Sequence, residues 1–249
     1  MSNQMSRRAL VLALAAAGLV STHAGEFSPS GGFAPLGGLS PLHAQEASGS
    51  WTAFKGDLQC TGYSAETVAT PLNLLWRHTV DLPNTTLPSP NSASPLVLGP
   101  RGARRVYFAT NNQVIGIDAE TGSKVWDKAR QLEGGVRAPL VLLPGESGDL
   151  ILAGTTSGFL SALKASDGSE VWRAKTEISI PVAPLVVNTP AGRRILVTLE
   201  TGVIRALTTD GQFDPKWRVT LGRFGASPVS SPVLSRDGKR FFIIGNDQT

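Results

Sequence analysis

Cys60 is the one cysteine of this 249-residue chain, and His23, His43 and His78 are its three histidines. A single thiol can form no disulfide within the chain, no Cys-x-x-Cys redox pair and no thiolate-rich zinc site. Cys60 therefore reads as a small apolar filler, and it lies too far past the N-terminal apolar run to resemble a lipid-anchor cysteine. If the chain is processed after Ala44, only His78 remains, so a two-histidine metal site is excluded and a Ser-His-Asp triad would hang on that one ring. Set in LLWRHTVD, His78 reads as a packed or solvated strand residue. Among the carboxylates, Asp57, Asp81, Asp118, Asp167, Asp210 and Asp237 stand in no motif that assigns them acid–base or metal work. Those at 118, 167, 210 and 237 belong to turns, where a short carboxylate bonds back to the turn backbone. No catalytic, cofactor-binding or metal-ligating residue is assigned.

The elements that carry these turns recur. Trp76, Trp126, Trp172 and Trp217 follow one another at intervals of 45–50 residues, each expected to close a strand (LNLLWRHTV, SKVWDKA, SEVWRAK, DPKWRVT). A second marker, a small residue, proline and an apolar pair, recurs with the same period but out of phase, at Pro95, Pro139, Pro184 and Pro232. Between the two markers the order is constant: a polar Gly-containing turn, a strand beginning near Val106, Ile151, Ile195 or Phe242, a tight connection, a third strand, and a turn ending in Gly122, Gly168 or Gly211. Glycine suits such turns because it reaches positive φ without a Cβ clash. Four short antiparallel strands per 45 residues is the signature of a propeller blade, which buries its faces only by stacking on its neighbours. The expected class is all-β, with blades near 95–126, 139–172 and 184–217 and a partial one over 232–249.

Composition agrees: 41% hydrophobic, 17% charged, 27 Gly and 17 Pro suit a turn-rich β protein, and a net charge of +4 selects no partner. The paired arginines at 104/105 and 193/194 stand singly beside strands rather than in a basic, aromatic-interleaved stripe, so nucleic-acid binding is not expected and solvated strand edges are. Residues 1–24 have the layout of an export signal, with Arg7-Arg8 before an apolar run from Ala9 to Val20 and small residues near Ala24. That run is shorter than the roughly 20 residues of a membrane span. Cleavage after Ala24 or as late as Ala44, by the general or the twin-arginine route, stays open. Residues 25–50, rich in Gly, Pro and Ser, read as a tether, leaving 51–249 for the repeats.

The runs GIDAETGSKVW and ALKASDGSEVW resemble the tryptophan-docking repeat of pyrroloquinoline-quinone-type propellers, in which Ala-x-Asp-x-x-Thr-Gly-Lys-x-x-Trp recurs. Gly116 replaces the Ala, Lys164 stands where Asp118 does, and ALTTDGQFDPKW carries a longer turn. The lead-in SWTAFKGDLQCTGYSAE is also similar to that of exported members. A propeller of the Trp-Asp type shares the period, but its Gly-His and Trp-Asp marks are not arranged here as that family requires. The resemblance implies that Trp126 and Trp172 are structural girdle residues packing on a neighbouring blade. It also implies seven or eight blades, so the expected ring is incomplete. Either the sequence is part of a longer chain or a compact four-blade ring forms, and exposed blade edges would make the isolated product self-associate.

For function, the resemblance implies an exported, non-catalytic binding or assembly scaffold, periplasmic or extracellular, with a protein partner, no nucleic acid, no membrane span and no cofactor. The nearest such role is in outer-membrane barrel assembly. The alternative it implies is part of a dehydrogenase oxidising alcohols or sugars, in which pyrroloquinoline quinone and calcium sit over the propeller axis. That enzyme commonly brings an adjacent cysteine pair, a calcium-binding carboxylate and an Asp base, and Cys60 has no cysteine neighbour. A kinase or sugar-linked sensor ectodomain remains a third option.

Overall fold

The computed structural model describes residues 8–15 as backbone, and residues 50–64, 66, 72–80, 94–222 and 226–247. No helix occurs among them. The tether reading of 25–50 lies outside these residues apart from Ser50, as do His23, His43 and Asp81.

The strands group into four antiparallel sheets arranged as propeller blades. β1 (Arg8–Ala15) belongs to the fourth sheet and is taken up with it. The first sheet runs β2 (Leu96–Leu98), β3 (Arg105–Thr110), β4 (Gln113–Asp118), β5 (Arg130–Gln131), and the second β6 (Val141–Leu143), β7 (Leu150–Gly154), β8 (Phe159–Lys164), β9 (Glu170–Lys175). The third runs β10 (Leu185–Thr189), β11 (Gly192–Thr198), β12 (Val203–Leu207), β13 (Phe213–Thr220). In each, sequence neighbours pair as a meander, as the turn signals require. In the fourth sheet β14 (Ser227–Pro228) and β15 (Val233–Leu234) both pair with one side of β16 (Arg240–Asp247). The backbone of β1, inside the stretch read as an export signal, pairs with the other side, from Arg8 opposite Asp247 to Ala15 opposite Arg240.

Alternation of side chains along each strand gives every sheet two apolar faces. The faces pack in sequence. Leu96, Tyr107 and Ala109 of the first sheet meet Leu140, Ile151 and Ala153 of the second. Val141, Leu152 and Leu160 on the second sheet's other face meet Val186, Ile195 and Val197 of the third. Leu185, Leu196 and Ile204 on the third sheet's other face meet Leu234, Phe241 and Ile243 of the fourth. Each core thus lies between blades, which is why no blade is stable alone.

The lead-in segment ties the first strands together. Trp51 and Val97 exchange backbone hydrogen bonds at 2.6 and 2.9 Å, Leu142 N donates to Thr52 O at 3.1 Å, and Leu234 N donates to Leu58 O at 2.9 Å. Three sheets therefore present their first strands to one segment, which places those strands around a common axis.

Three sequence expectations need correction. Trp76 and its neighbours at 72–80 form no strand, and Trp126 does not lie in one. In the first sheet Ile117 still bridges Lys124, but Val114 pairs with Arg130, whereas the equivalent pair in the second sheet, Leu160 with Ala174, would put Val114 opposite Lys128. Two extra residues loop out there, and β5 is correspondingly short. In the third sheet the surplus of ALTTDGQFDPKW falls not in the turn but in β13, between Phe213, which pairs with Leu207, and Arg218, which pairs with Arg205. Pro215 has no N–H to give a ladder, so a bulge is where it is tolerated.

Candidate interaction surface

The carboxylates that could have done chemistry are occupied by turns. Asp118 Oδ1 accepts from the backbone N–H of Thr121 at 2.9 Å, from its hydroxyl at 3.0 Å and from Glu120 N at 3.0 Å. These bonds to the charged form, led by the Thr121 amide, hold the Asp118 carboxyl below the usual aspartate range. Ser169 does the same for Asp167, with its amide at 2.8 Å. The Ser235 hydroxyl at 2.6 Å and Lys239 N at 3.1 Å do so for Asp237. The Thr208 hydroxyl donates to Asp210, and Thr61 N donates to Asp57 at 3.0 Å. Cys60 is half-buried with φ of 53°, and burial, reinforced by the Asp57 charge, pushes its thiol upward. His78 lines a shallow cleft with Gln113, Lys124 and Asp127. Among the described residues no three His, Cys, Asp or Glu side chains gather where they could hold a metal ion. Cys60 has no neighbouring cysteine in the sequence, and Asp118, Asp167, Asp210 and Asp237 each accept hydrogen bonds from their own turns.

The tryptophans make one contact three times. Trp76 Nε1 donates to Ala119 O at 2.7 Å, Trp126 Nε1 to Ala165 O at 3.0 Å, and Trp172 Nε1 to Thr209 O at 2.9 Å. Beneath each ring lies a turn glycine at positive φ: Gly122, Gly168 and Gly211. A Cβ there would come within 2.8 Å of Trp76, 2.7 Å of Trp126 and 2.6 Å of Trp172 respectively. The glycines are thus required twice, by the turn and by the indole face. Gly116, which departs from the repeat pattern, is explained in the same way: a Cβ on it would lie 3.0 Å from the Tyr107 ring and 3.1 Å from Trp126. The larger Tyr107 fills the room that an alanine would take.

The paired arginines do not all sit at solvated edges as expected. Arg104 ion-pairs with Glu66, and Arg193 donates to the Pro144 carbonyl, so one tethers the lead-in to the first sheet and the other joins the third sheet to the second. Part of the exposed surface is apolar or grooved. Leu72, Leu74 and Leu75 are 70–76% exposed beside the anchored Trp76. Val229 on the fourth sheet is 62% exposed. Beside the bulge in β13 lies a cleft of about 680 Å³ lined by residues that include Ile178, Arg205, Asp214 and Arg218. In it Arg205 lies over the Phe213 ring, 3.7 Å from its centroid. Residue spacing did not announce this cleft, because the bulge beside it looks like a long turn.

These features lie on a scaffold of repeated, stacked sheets. The profile of the family described as outer membrane protein assembly factor BamB matches residues 46–178 and again 110–246. The chain belongs to this BamB family. The outer membrane protein assembly factor BamB of Xanthomonas campestris pv. campestris is 34% identical over 85 residues, covering 32% of this chain and 21% of that protein. Among solved structures, a europium-containing methanol dehydrogenase superposes with a TM-score of 0.55 at 21% identity, covering 72% of this chain and 33% of that one. A quinohemoprotein alcohol dehydrogenase from Pseudomonas putida HK5 gives 0.58 at 18% identity, covering 80% and 35%. At those identities the dehydrogenases share the fold alone. The chain spans about a fifth of the BamB relative's length and about a third of each dehydrogenase. Among the described residues no helix is long and apolar enough to cross a membrane.

Proposed function

We propose that this chain is part of an exported, non-catalytic β-propeller that serves as a binding scaffold in the assembly of outer-membrane proteins. The observation that carries the reading is the BamB-family match over residues 46–246 on a chain whose repeat aspartates, glycines and tryptophans are all engaged in building blades. The exposed leucines at 72–75 and the β13 cleft supply surface for a protein partner. An N-terminus with the layout of an export signal would deliver it to the compartment where such assembly takes place.

The test is genetic and biochemical together. Removal of the gene should lower the amount of folded β-barrel proteins in the outer membrane, and the tagged protein should co-purify with the membrane complex that inserts them. Unchanged barrel levels and no such co-purification would refute the reading. Titration with pyrroloquinoline quinone and Ca²⁺, followed by dye reduction with alcohols and aldose sugars, examines the dehydrogenase reading independently, and turnover there would replace the scaffold.

A further inference from the structure

The second and third sheets repeat one pattern, so residues at matching places can be compared directly. In the second, Ser161 pairs with Arg173 and Leu163 with Glu170; in the third, Arg205 pairs with Arg218 and Leu207 with Phe213. Arg205 thus stands in the place of Ser161, and Phe213 in that of Glu170. The exchange reverses the charge balance of the patch. Arg173 is held by two carboxylates: Glu170 of its own strand at 3.2 Å, and Glu133, from the connection that follows β5, at 3.5 Å. In the third sheet two guanidinium groups oppose each other and a phenyl ring replaces the glutamate. The connection that follows β9 lends Thr176 and Ile178 to the adjoining cleft, while its Glu177 pairs with Lys175 at 3.9 Å. Asp214 also lines the cleft, and its Oδ1 accepts from Lys216 N at 3.0 Å.

Like charges directly opposite each other on a sheet are unfavourable, and an anion held by both would relieve them. Arg205 is half-buried and lies flat over Phe213, 3.7 Å from the ring centroid, so its guanidinium is restricted before any ligand arrives. Arg218 beside it is exposed. We infer that this cleft binds a carboxylate-bearing segment of a partner protein. An Asp or Glu side chain of the partner enters at Arg205 and Arg218 and takes the part that Glu170 and Glu133 play for Arg173. Apolar residues flanking that acid lie against Ile178, Val203 and Pro215, which line the same cleft. The site goes beyond a general scaffold role, because it specifies what one partner must carry, and it stands on the third sheet whichever assembly that partner belongs to.

The test titrates the full chain, with its arginine side chains labelled for nuclear magnetic resonance, with the end-blocked peptide Gly-Leu-Glu-Leu-Gly at fixed ionic strength. The Nε–H signals of Arg205 and Arg218 should shift together and saturate, and the peptide with Gln in place of Glu should leave them unmoved. Arg205→Ser, which restores the residue of the second sheet, should weaken binding by about tenfold or more. Arg218→Glu should abolish binding and raise the melting temperature, since it supplies from within the carboxylate that the partner would bring; a merely structural arginine would give the opposite change in stability. Arginine signals that stay put with the Glu peptide, or move equally with the Gln peptide, overturn the inference. An equal response to inorganic phosphate at the same ionic strength assigns the site to small anions and overturns it too. The wild-type titration decides by itself should a variant misfold.

Discussion

The phenol of Tyr107 and the indole of Trp126 donate to one acceptor, the Ala165 carbonyl in the next blade, at 2.8 and 3.0 Å. Their rings lie 5.5 Å apart at 40°. Both groups come from the first sheet and the carbonyl from the second, so a single oxygen registers two blades against each other. Burial raises the Tyr107 hydroxyl above its usual range and keeps it a donor through neutral pH.

Sharing makes the two donors unequal in consequence. Tyr107→Phe leaves Ala165 O satisfied by Trp126 and should cost only about 0.5–1.5 kcal/mol. Trp126→Ala empties a buried site and should cost about 3–5 kcal/mol. Urea unfolding followed by circular dichroism measures both, and equal losses would contradict the shared-acceptor arrangement.

The glycine beneath each indole separates backbone strain from steric contact. Gly102 has φ of 83° with open space around it, whereas Gly168 has φ of 73° with Trp126 against it. Gly102→Ala should therefore show only the conformational penalty, on the order of 1 kcal/mol. Gly168→Ala should lose more and also shift Trp fluorescence, because the ring must move.

Acid should loosen the turns. Asp118, Asp167 and Asp237 all have folded-state carboxyls held below the ordinary value of 3.8. Stability from a depressed carboxylate is fully present above the unfolded value and is lost as pH falls through the folded one. The melting temperature should thus be insensitive to these groups from pH 8 to 5 and fall below pH 3.8, and Asp167→Asn should flatten part of that fall.

Cys60 should be a slow thiol. Its pKa lies above the ordinary 9.0, so at pH 7 the reactive thiolate is scarce. Reaction with an aromatic disulfide reagent should accelerate with pH, with a midpoint above 9.0, and rise sharply on unfolding. Fast reaction of the native protein at pH 7 would contradict the half-buried placement.

The repeat period, the turn glycines and the indole positions were legible because each is a local consequence of one residue type: positive φ needs glycine, and a ring packed on a turn tolerates no Cβ. Insertions were not. The surplus residues after Trp126 and around Pro215 read as part of a strand and as a long turn, since spacing alone cannot say where a ladder absorbs them. The partners of Arg104 and Arg193 were hidden as well, because they depend on which blades stand next to each other. The course of 72–80 was hidden for a similar reason: LNLLWRHTV has strand-like composition, yet among the described residues it forms no strand and Leu72, Leu74 and Leu75 are exposed.

The lead-in that touches Val97, Leu142 and Leu234 imposes an order on biosynthesis. Residues 51–58 leave the ribosome early, yet Leu58 cannot take its final partner until Leu234 has been made. Neighbouring blades can zip together one after another as they are made, while this segment must wait, so a part of the chain synthesised before the blades is among the last to settle. A nascent chain arrested before residue 234 should therefore hold stacked sheets whose axial strap is only half fastened.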